Sequence, residues 1–233
     1  MANILILFNA SDYAAEPWLA AGHNVLSVDI ANESSGLPRW IETTGNHFKV
    51  NWDIYVTRRK LHNTPWRMPD FVLAFPPCTD LAVCGNRSAA GKLAADPNYL
   101  DKAVDLCTWA AEYAANGLIP YLIENPVSRL ATLWRKPDGY FHPSDFGGYL
   151  PEDDVHPEYP EYIAPRDAYP KKTGYWVGNG AKLPEKRPVS RPTGFSTQYR
   201  MLGGRSAKTK RIRSLTPRGA AIAIYEANKE LLT

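Results

Sequence analysis

The first apolar stretch of the chain, Asn3-Ile4-Leu5-Ile6-Leu7-Phe8, is continuous rather than alternating. A strand covered on both faces reads this way, because neither face needs polar residues. Val25 to Ile30 repeats the pattern and closes on Asp29. Between the two, Ser11 to Ala21 is predicted to form a short helix, with Pro17 near a boundary or kink and Gly22 ending it. Strand, helix and strand in such close succession make a βαβ unit. Phe71 to Phe75 is a further apolar strand. Asp96-Pro97-Asn98 then opens a helix, with Asp96 as N-cap and Pro97 in its first turn. Leu100, Ala103, Val104, Cys107, Ala110, Ala111 and Ala114 form the apolar stripe of that helix, and Gly117 stops it. Ile119 to Ile123 is the next strand and leads into Glu124-Asn125-Pro126. Thr216-Pro217 caps a last helix running to about Leu231. Alternating strands and helices predict an α/β fold with helices on both faces of the sheet.

Residues 137–192 depart from this rhythm. They hold half of the 20 prolines and many aromatics, among them Tyr140, Phe141, Phe146, Tyr149, Tyr175 and Trp176. Proline fixes φ and removes a donor, so long helices and central strands are disfavoured there. The pattern predicts an irregular lobe packed by aromatic rings, with a hairpin around Gly178-Asn179-Gly180. The expected organisation is a catalytic α/β domain over 1–136 and a small irregular lobe over 137–204. A basic segment and helix over 205–233 would pack back on the first unit.

Composition adds boundaries. The 233 residues suffice for one α/β domain with a small lobe, and 44% hydrophobic with 22% charged residues is ordinary for a globular chain. No apolar run is long enough to span a membrane. The N-terminal stretch has no basic flank and no small-residue cleavage site, so it reads as a strand rather than a signal peptide. Three cysteines make no disulfide framework, and a cytoplasmic location is expected. The net charge of +3 is modest. Its distribution is more telling, because Arg205, Lys208, Lys210, Arg211 and Arg213 form a cluster that suits a phosphate backbone and equally fits a solvated loop. His142, Asp145, Asp153, Asp154 and His156 have no zinc-ligand spacing, and no metal is expected.

In open α/β sheets, ligands bind beyond the carboxyl ends of the strands. Four predicted strands end on polar or reactive residues: Asn9, Asp29, Cys78, and Glu124 with Asn125. Cys78 follows Pro76-Pro77, which stiffens the backbone and fixes the thiol. A thiolate is a strong nucleophile, and a fixed one loses less entropy on attack. Cys107 on the helix stripe reads as a structural cysteine, and so does Cys84. A carboxyl group at Glu124 can hydrogen-bond a heterocycle or shuttle a proton, or simply begin a surface loop.

Phe75-Pro76-Pro77-Cys78-Thr79-Asp80-Leu81-Ala82, a helix, and then Ile123-Glu124-Asn125-Pro126-Val127-Ser128 together resemble the cytosine-C5 DNA methyltransferase family, in particular its small phage-type members. The resemblance implies a Rossmann-like methyltransferase sheet and S-adenosylmethionine as methyl donor. It implies Cys78 as the nucleophile on C6 of cytosine, with Glu124 and Asn125 as the Glu-Asn motif whose Glu contacts N3 and the exocyclic amine. It also implies Asp29 at the cofactor ribose, Asp53 of Asn51-Trp52-Asp53-Ile54 at the adenine amine, and Phe8, Asn9 and Phe75 along the cofactor. Lys172 and Thr173, in Lys171-Lys172-Thr173, correspond to the basic motif that reaches the flipped base. Arg213-Ser214-Leu215-Thr216-Pro217-Arg218 resembles the motif that buttresses the DNA-recognition lobe. DNA is the implied partner, and the location is the host cytoplasm for a phage-encoded protein.

The chain departs from the family at the turn after the first strand. Phe8-Asn9-Ala10-Ser11-Asp12-Tyr13 replaces Phe-x-Gly-x-Gly, so the glycines that allow positive φ and close backbone approach are missing. Asp12 could meet the ammonium of the cofactor or cap a helix. The family's Gly-Asn-containing last motif does not follow Thr216. Three functions fit these residues. One is a working methyltransferase with a variant cofactor pocket. Another is an enzyme using the same cysteine addition on a nucleotide, a modified base or another one-carbon donor. The third is an inactive relative that binds DNA or a protein.

Overall fold

The apolar runs find both of their faces covered in a computed structural model that describes residues 1–9, 11–32, 41–54, 61, 66, 68–81, 89–192, 194–203 and 206–232. The strands are β1 (Asn3–Leu7), β2 (Asn24–Val28), β3 (Ile41–Thr44), β4 (His47–Val50), β5 (Phe71–Ala74), β6 (Tyr121–Pro126), β7 (Gly139–Phe141) and β8 (Thr173–Gly178). Among the described residues they form one sheet in the order β3-β4-β2-β1-β5-β6-β8-β7. β4, β2, β1, β5 and β6 are parallel. β8 runs antiparallel between β6 and β7, and β3 is antiparallel on β4.

The chain winds from β1 out to β4 on one side and then returns to β5 on the other. This is a doubly wound, Rossmann-like sheet, and its strand order reverses between β1 and β5. The helices are α1 (Glu16–Ala20), α2 (Ala89–Ala95), α3 (Tyr99–Asn116), α4 (Leu130–Leu133), α5 (Thr197–Met201), α6 (Ala207–Ser214) and α7 (Arg218–Asn228). Leu5, Leu7, Leu26, Val28, Val72 and Ala74 share a core with the α3 residues Ala103, Cys107, Ala110 and Ala114. The intervening strand residues Ile4, Ile6, Val25, Phe71 and Leu73 pack on Trp18 of α1 and on Ala220, Ala223 and Ile224 of α7. The period of two along a strand sends neighbours to opposite faces, so two helical layers require an uninterrupted apolar run.

Several boundaries differ from the sequence reading. Residues 11–15 form turns, with Ala15 N–H and Glu16 N–H both donating to the Asp12 carbonyl, and α1 starts only at Glu16. Pro17 then occupies the first turn, where no N–H is needed. The long helix starts at Tyr99 rather than at Asp96. The Asp96 carboxylate accepts from Asn98 N–H (3.0 Å) and pairs with Lys102 (2.6 Å) instead of capping. β6 continues through Glu124, Asn125 and Pro126 because β8 pairs with it there. α7 begins at Arg218, one residue beyond Pro217.

Two strands of the proline- and aromatic-rich segment lie in the sheet itself. β8 contains no proline, so nothing in Thr173–Gly178 interrupts its ladder. Trp176 enters the α3 core, while Phe141, Phe146 and Tyr175 enter the α7 core. Phe141 and Tyr175 stack at 4.2 Å between centroids. The turn at Asn179 and Gly180 forms, with positive φ at both and Ala181 N–H donating to the Gly178 carbonyl. No strand follows it in residues 181–192, so the expected hairpin is absent. A third cluster joins Tyr13, Ile163 and Tyr169 to Leu202, Ile212 and Leu215. It fastens α5 and α6 beside the turn that follows β1. Among the described residues no helix is long and apolar enough to cross a membrane.

Candidate active site at the carboxyl rim of the sheet

Register fixes which residues can meet. Leu7 pairs with Val28 and with Ala74, and Ala74 pairs with Ile123. Asn9, Asp29, Cys78 and Glu124 therefore follow strand positions at one level of the sheet. β8 runs the other way and begins at this rim, pairing Thr173 with Pro126 and Gly174 with Asn125. Lys172 thus arrives next to the Glu-Asn step. The β1–β5 switch point, where crevices form in such sheets, separates Phe8 and Asn9 from Phe75 through Cys78.

The segment after β5 is held by its neighbours. Phe75 N–H donates to the Leu7 carbonyl (3.0 Å), which keeps the ladder going for one more residue. Pro76 and Pro77 have no N–H, so only their carbonyls can be tied down. Asn125 does this, with Nδ2 donating to the Pro76 carbonyl at 2.8 Å. Its side chain is fully buried, and its Oδ1 has no partner among the described residues. Leu81 N–H closes a turn onto the Cys78 carbonyl (3.1 Å), and Arg129 N–H donates to the Leu81 carbonyl (3.0 Å). The loops after β5 and β6 are therefore stitched together around a half-buried Cys78. Cys107, by contrast, is sealed in the α3 core, and burial pushes its thiol up to about 12. Cys84 and Ala82 lie outside the described residues.

Glu124 stands beside Tyr175 in the β6–β8 ladder. Burial raises the affinity of its carboxyl for a proton, and the nearby Lys171 ammonium opposes the rise. The Tyr175 hydroxyl is buried with no partner among the described residues, and burial followed by the Glu124 charge pushes its pKa well up. A carboxyl group whose proton affinity is raised in this way can share its proton with a ring nitrogen.

On the other side of the switch point, Phe8 adopts φ 59°, a left-handed conformation unusual outside glycine. Its N–H and that of Asn9 both reach the Val28 carbonyl, at 2.7 and 3.3 Å. Asn9 is buried. It joins Ser11 and Ser27 at 3.5 Å each, and Ser27 meets His47 at 3.0 Å. Asp12 forms an ion pair with Lys49, so its charge is already balanced by protein. Tyr13 donates to Glu158 at 2.7 Å. Side chains from three elements thus hold a turn that glycines would otherwise shape. Ala10 lies outside the described residues.

Asp29 and Asp53 follow β2 and β4, which are adjacent. Asn32 Nδ2 donates to the Ser27 and Val50 carbonyls, and Asn51 Nδ2 donates to the Ile30 and Asn32 carbonyls. Burial raises the Asp29 carboxyl, against the Ala31 N–H that donates to it at 2.7 Å. Asp53 is exposed. Two carboxylates on neighbouring loops are acceptors suited to the hydroxyl or amine donors of a ligand.

Of the basic residues, Lys172 is exposed and lies 4.7 Å over the Tyr140 ring. Thr173 is buried in the sheet, its hydroxyl donating to the Lys171 carbonyl at 3.1 Å. Lys208, Lys210, Arg211 and Arg213 lie on α6, a helix that no apolar periodicity in the sequence marks. Lys208 contacts the Tyr162 hydroxyl at 3.1 Å, and Arg211 binds the Tyr159 hydroxyl (3.0 Å) and Glu158 (3.2 Å). Lys210 is exposed. Arg213 donates to the Leu202 carbonyl at 2.8 Å. Arg205 lies outside the described residues.

The structure adds partners that sequence spacing did not signal. Arg218 forms a buried ion pair with Asp154 at 2.6 Å. Next to it, Gly219 N–H donates to Asp167 at 3.0 Å. Glu158 links Tyr13 of the turn after β1 to Arg211 of α6. His156 accepts the N–H groups of Glu158 and Tyr159 on Nδ1. The His156 contacts are local, but the contacts of Arg218, Gly219 and Glu158 join residues 52 to 145 positions apart, and no local motif marks them.

No family model matches the sequence, and comparison with curated proteins finds no relative. Among solved structures, the chain is similar to a candidate DNA modification methyltransferase encoded within a prophage of E. coli, at 13% sequence identity and a TM-score of 0.45. The match covers 82% of this chain and 53% of that one, so the chain spans about half the length of that protein.

Proposed function

We propose that the protein is an S-adenosylmethionine-dependent DNA methyltransferase that modifies C5 of cytosine through Cys78. The observation that carries this reading is the bond from Asn125 to the Pro76 carbonyl. It locks the strand end bearing Glu124 to the loop bearing Cys78. In this mechanism Glu124 holds a proton at N3 of the base while the Cys78 thiolate forms a bond to C6. Electron density then moves to C5, which is otherwise a poor nucleophile. When the product forms, C5 loses its proton and the bond from Cys78 to C6 breaks, which restores the ring double bond. S-adenosylmethionine, when bound, supplies an electrophilic methyl group; Phe8, Asn9, Asp29, Asp53 and Phe75 are the residues that would hold it. The base must leave the duplex to reach Cys78. Lys172 and the cations of α6 would hold the surrounding phosphates.

The pinned turn after β1 supports a second reading, in which the same cysteine addition serves a free nucleotide or another one-carbon donor. One assay separates the two. The protein is incubated with labelled S-adenosylmethionine and either duplex DNA or cytidine and deoxycytidine nucleotides, and both label transfer and the mass of the Cys78 peptide are read. Label on DNA, abolished in Cys78→Ala, is the expected result. An adduct with a nucleotide but none with DNA selects the second reading. No label and no adduct on any substrate rejects both.

A further inference from the structure

Among the described residues most large aromatic side chains are buried or partly buried, but Phe195 and Tyr199 are not. They are 65% and 62% exposed, and their rings stack on each other at 4.4 Å between centroids and 16° between planes. The helix that carries Tyr199 is well anchored on its other side. Gln198 is buried, and Leu202 packs in the cluster of Tyr13, Ile212 and Leu215. Ser196 accepts from Tyr199 N–H at 3.1 Å, which fixes the backbone under the ring pair. The rings are therefore held in the open by ordered structure.

Their surroundings select one kind of partner. From Lys186 to Tyr225 the chain carries ten Lys and Arg residues and no Asp or Glu. Arg200 is exposed directly after Tyr199, and α6 adds the exposed Lys208, Lys210, Arg211 and Arg213. Glu158 reaches into this region, where it takes up part of the Arg211 charge. Flat aromatic faces beside a cationic track form the combination that binds single-stranded nucleic acid, since every base has a π face and every linkage a negative charge. Paired bases in a duplex have both faces covered by their neighbours, so they offer these rings only backbone.

We propose that the Phe195–Tyr199 pair is a stacking platform for an unpaired base of DNA, with Arg200 and the α6 cations holding the adjoining phosphates. The proposal rests on the reading of DNA as substrate, and it adds that opened or single-stranded DNA is gripped at a second point besides the reacting base.

The test is fluorescence anisotropy with the full chain and no methyl donor, so that methyl transfer is not required. The probes are a labelled oligo-thymidylate and a blunt duplex of equal length, each titrated at several salt concentrations. The double variant Phe195→Ala, Tyr199→Ala is expected to bind the single strand about 10- to 100-fold more weakly and the duplex within about threefold of wild type. Its salt dependence should be unchanged, because no cation is removed. Phe195→Trp should retain binding, and a circular dichroism melt of each variant confirms folding. Lys208→Gln with Lys210→Gln should instead flatten the salt dependence on both probes. Wild-type affinity of the double variant for the single strand overturns the platform alone, and so does an equal loss on both probes. A wild-type chain that binds neither probe overturns the DNA reading as well.

Discussion

At the scale of single residues, Asn125 does the most for the site with one bond. Two prolines before Cys78 remove the N–H groups that would normally anchor a loop, and the Asn125 amide substitutes for them at the Pro76 carbonyl. Asn125→Ala leaves that buried carbonyl without its donor, at a cost of about 1–3 kcal/mol. The thermal midpoint should fall by several degrees. Methyl transfer should fall further than stability alone explains, because the thiol loses its fixed place. Activity equal to wild type at a temperature where the variant is fully folded would refute the positioning role. Glu124 makes a prediction of opposite character. Burial raises its carboxyl, so the protonated form persists to higher pH and disappears as pH rises through the raised value. The rate, limited by the Cys78 thiolate at low pH, should therefore turn down on the alkaline side. Glu124→Gln should lose roughly 10²–10⁴-fold in rate and also lose that alkaline limb. A variant profile with the same downturn would assign it to another group.

At the scale of elements, α7 shows two local effects in conflict. Gly219 sits in its first turn, where helix propensity favours alanine by about 1 kcal/mol. A Cβ at this position would lie 2.4 Å from the Phe146 carbonyl oxygen, which is backbone and cannot swing away. Overpacking costs about 1–3 kcal/mol or more, so it outweighs propensity. Gly219→Ala should lower the denaturant midpoint with little change in its slope, and a rise in the midpoint would show that the turn at 143–149 yields. This close approach is invisible in the sequence, as are other elements whose partners are remote. β1, β2, β5 and β6 are legible because burial on both faces writes them as apolar runs. β4, His47-Phe48-Lys49-Val50, is not, because His47 and Lys49 are accommodated by Ser27 and Asp12 from other parts of the chain. β8 is masked by the prolines around it. The rim positions of Cys78 and Glu124 follow from strand ends and are legible. The stitches between their loops depend on pairings across β5, β6 and β8 and cannot be read locally.

At the scale of the whole molecule, buried titratable groups near the start of α7 set how stability responds to pH. Burial raises Asp167 to about 6, opposed by Gly219 N–H and Arg218. Burial and then Arg218 lower His156 to about 4. The signs are opposite. Asp167 contributes stability that is fully present below its unfolded value of 3.8 and is lost as pH rises towards 6. His156 contributes stability that is present above its unfolded value of 6.5 and is lost as pH falls towards 4. A tenfold change in proton affinity corresponds to about 1.4 kcal/mol, so each contribution is on the order of 3 kcal/mol and the two offset each other between pH 4 and 6. Asp167→Asn keeps an acceptor for Gly219 N–H but removes the titration. Its thermal midpoint relative to wild type should rise as pH goes from 4 to 6. His156→Asn keeps an acceptor for Glu158 and Tyr159 N–H. Its midpoint relative to wild type should rise as pH goes from 6.5 down to 4. Calorimetric scans of both variants across this window separate the two groups, because the mirror-image trends cannot come from a general loss of packing. Parallel trends would mean that Asp167 and His156 do not titrate as their surroundings require.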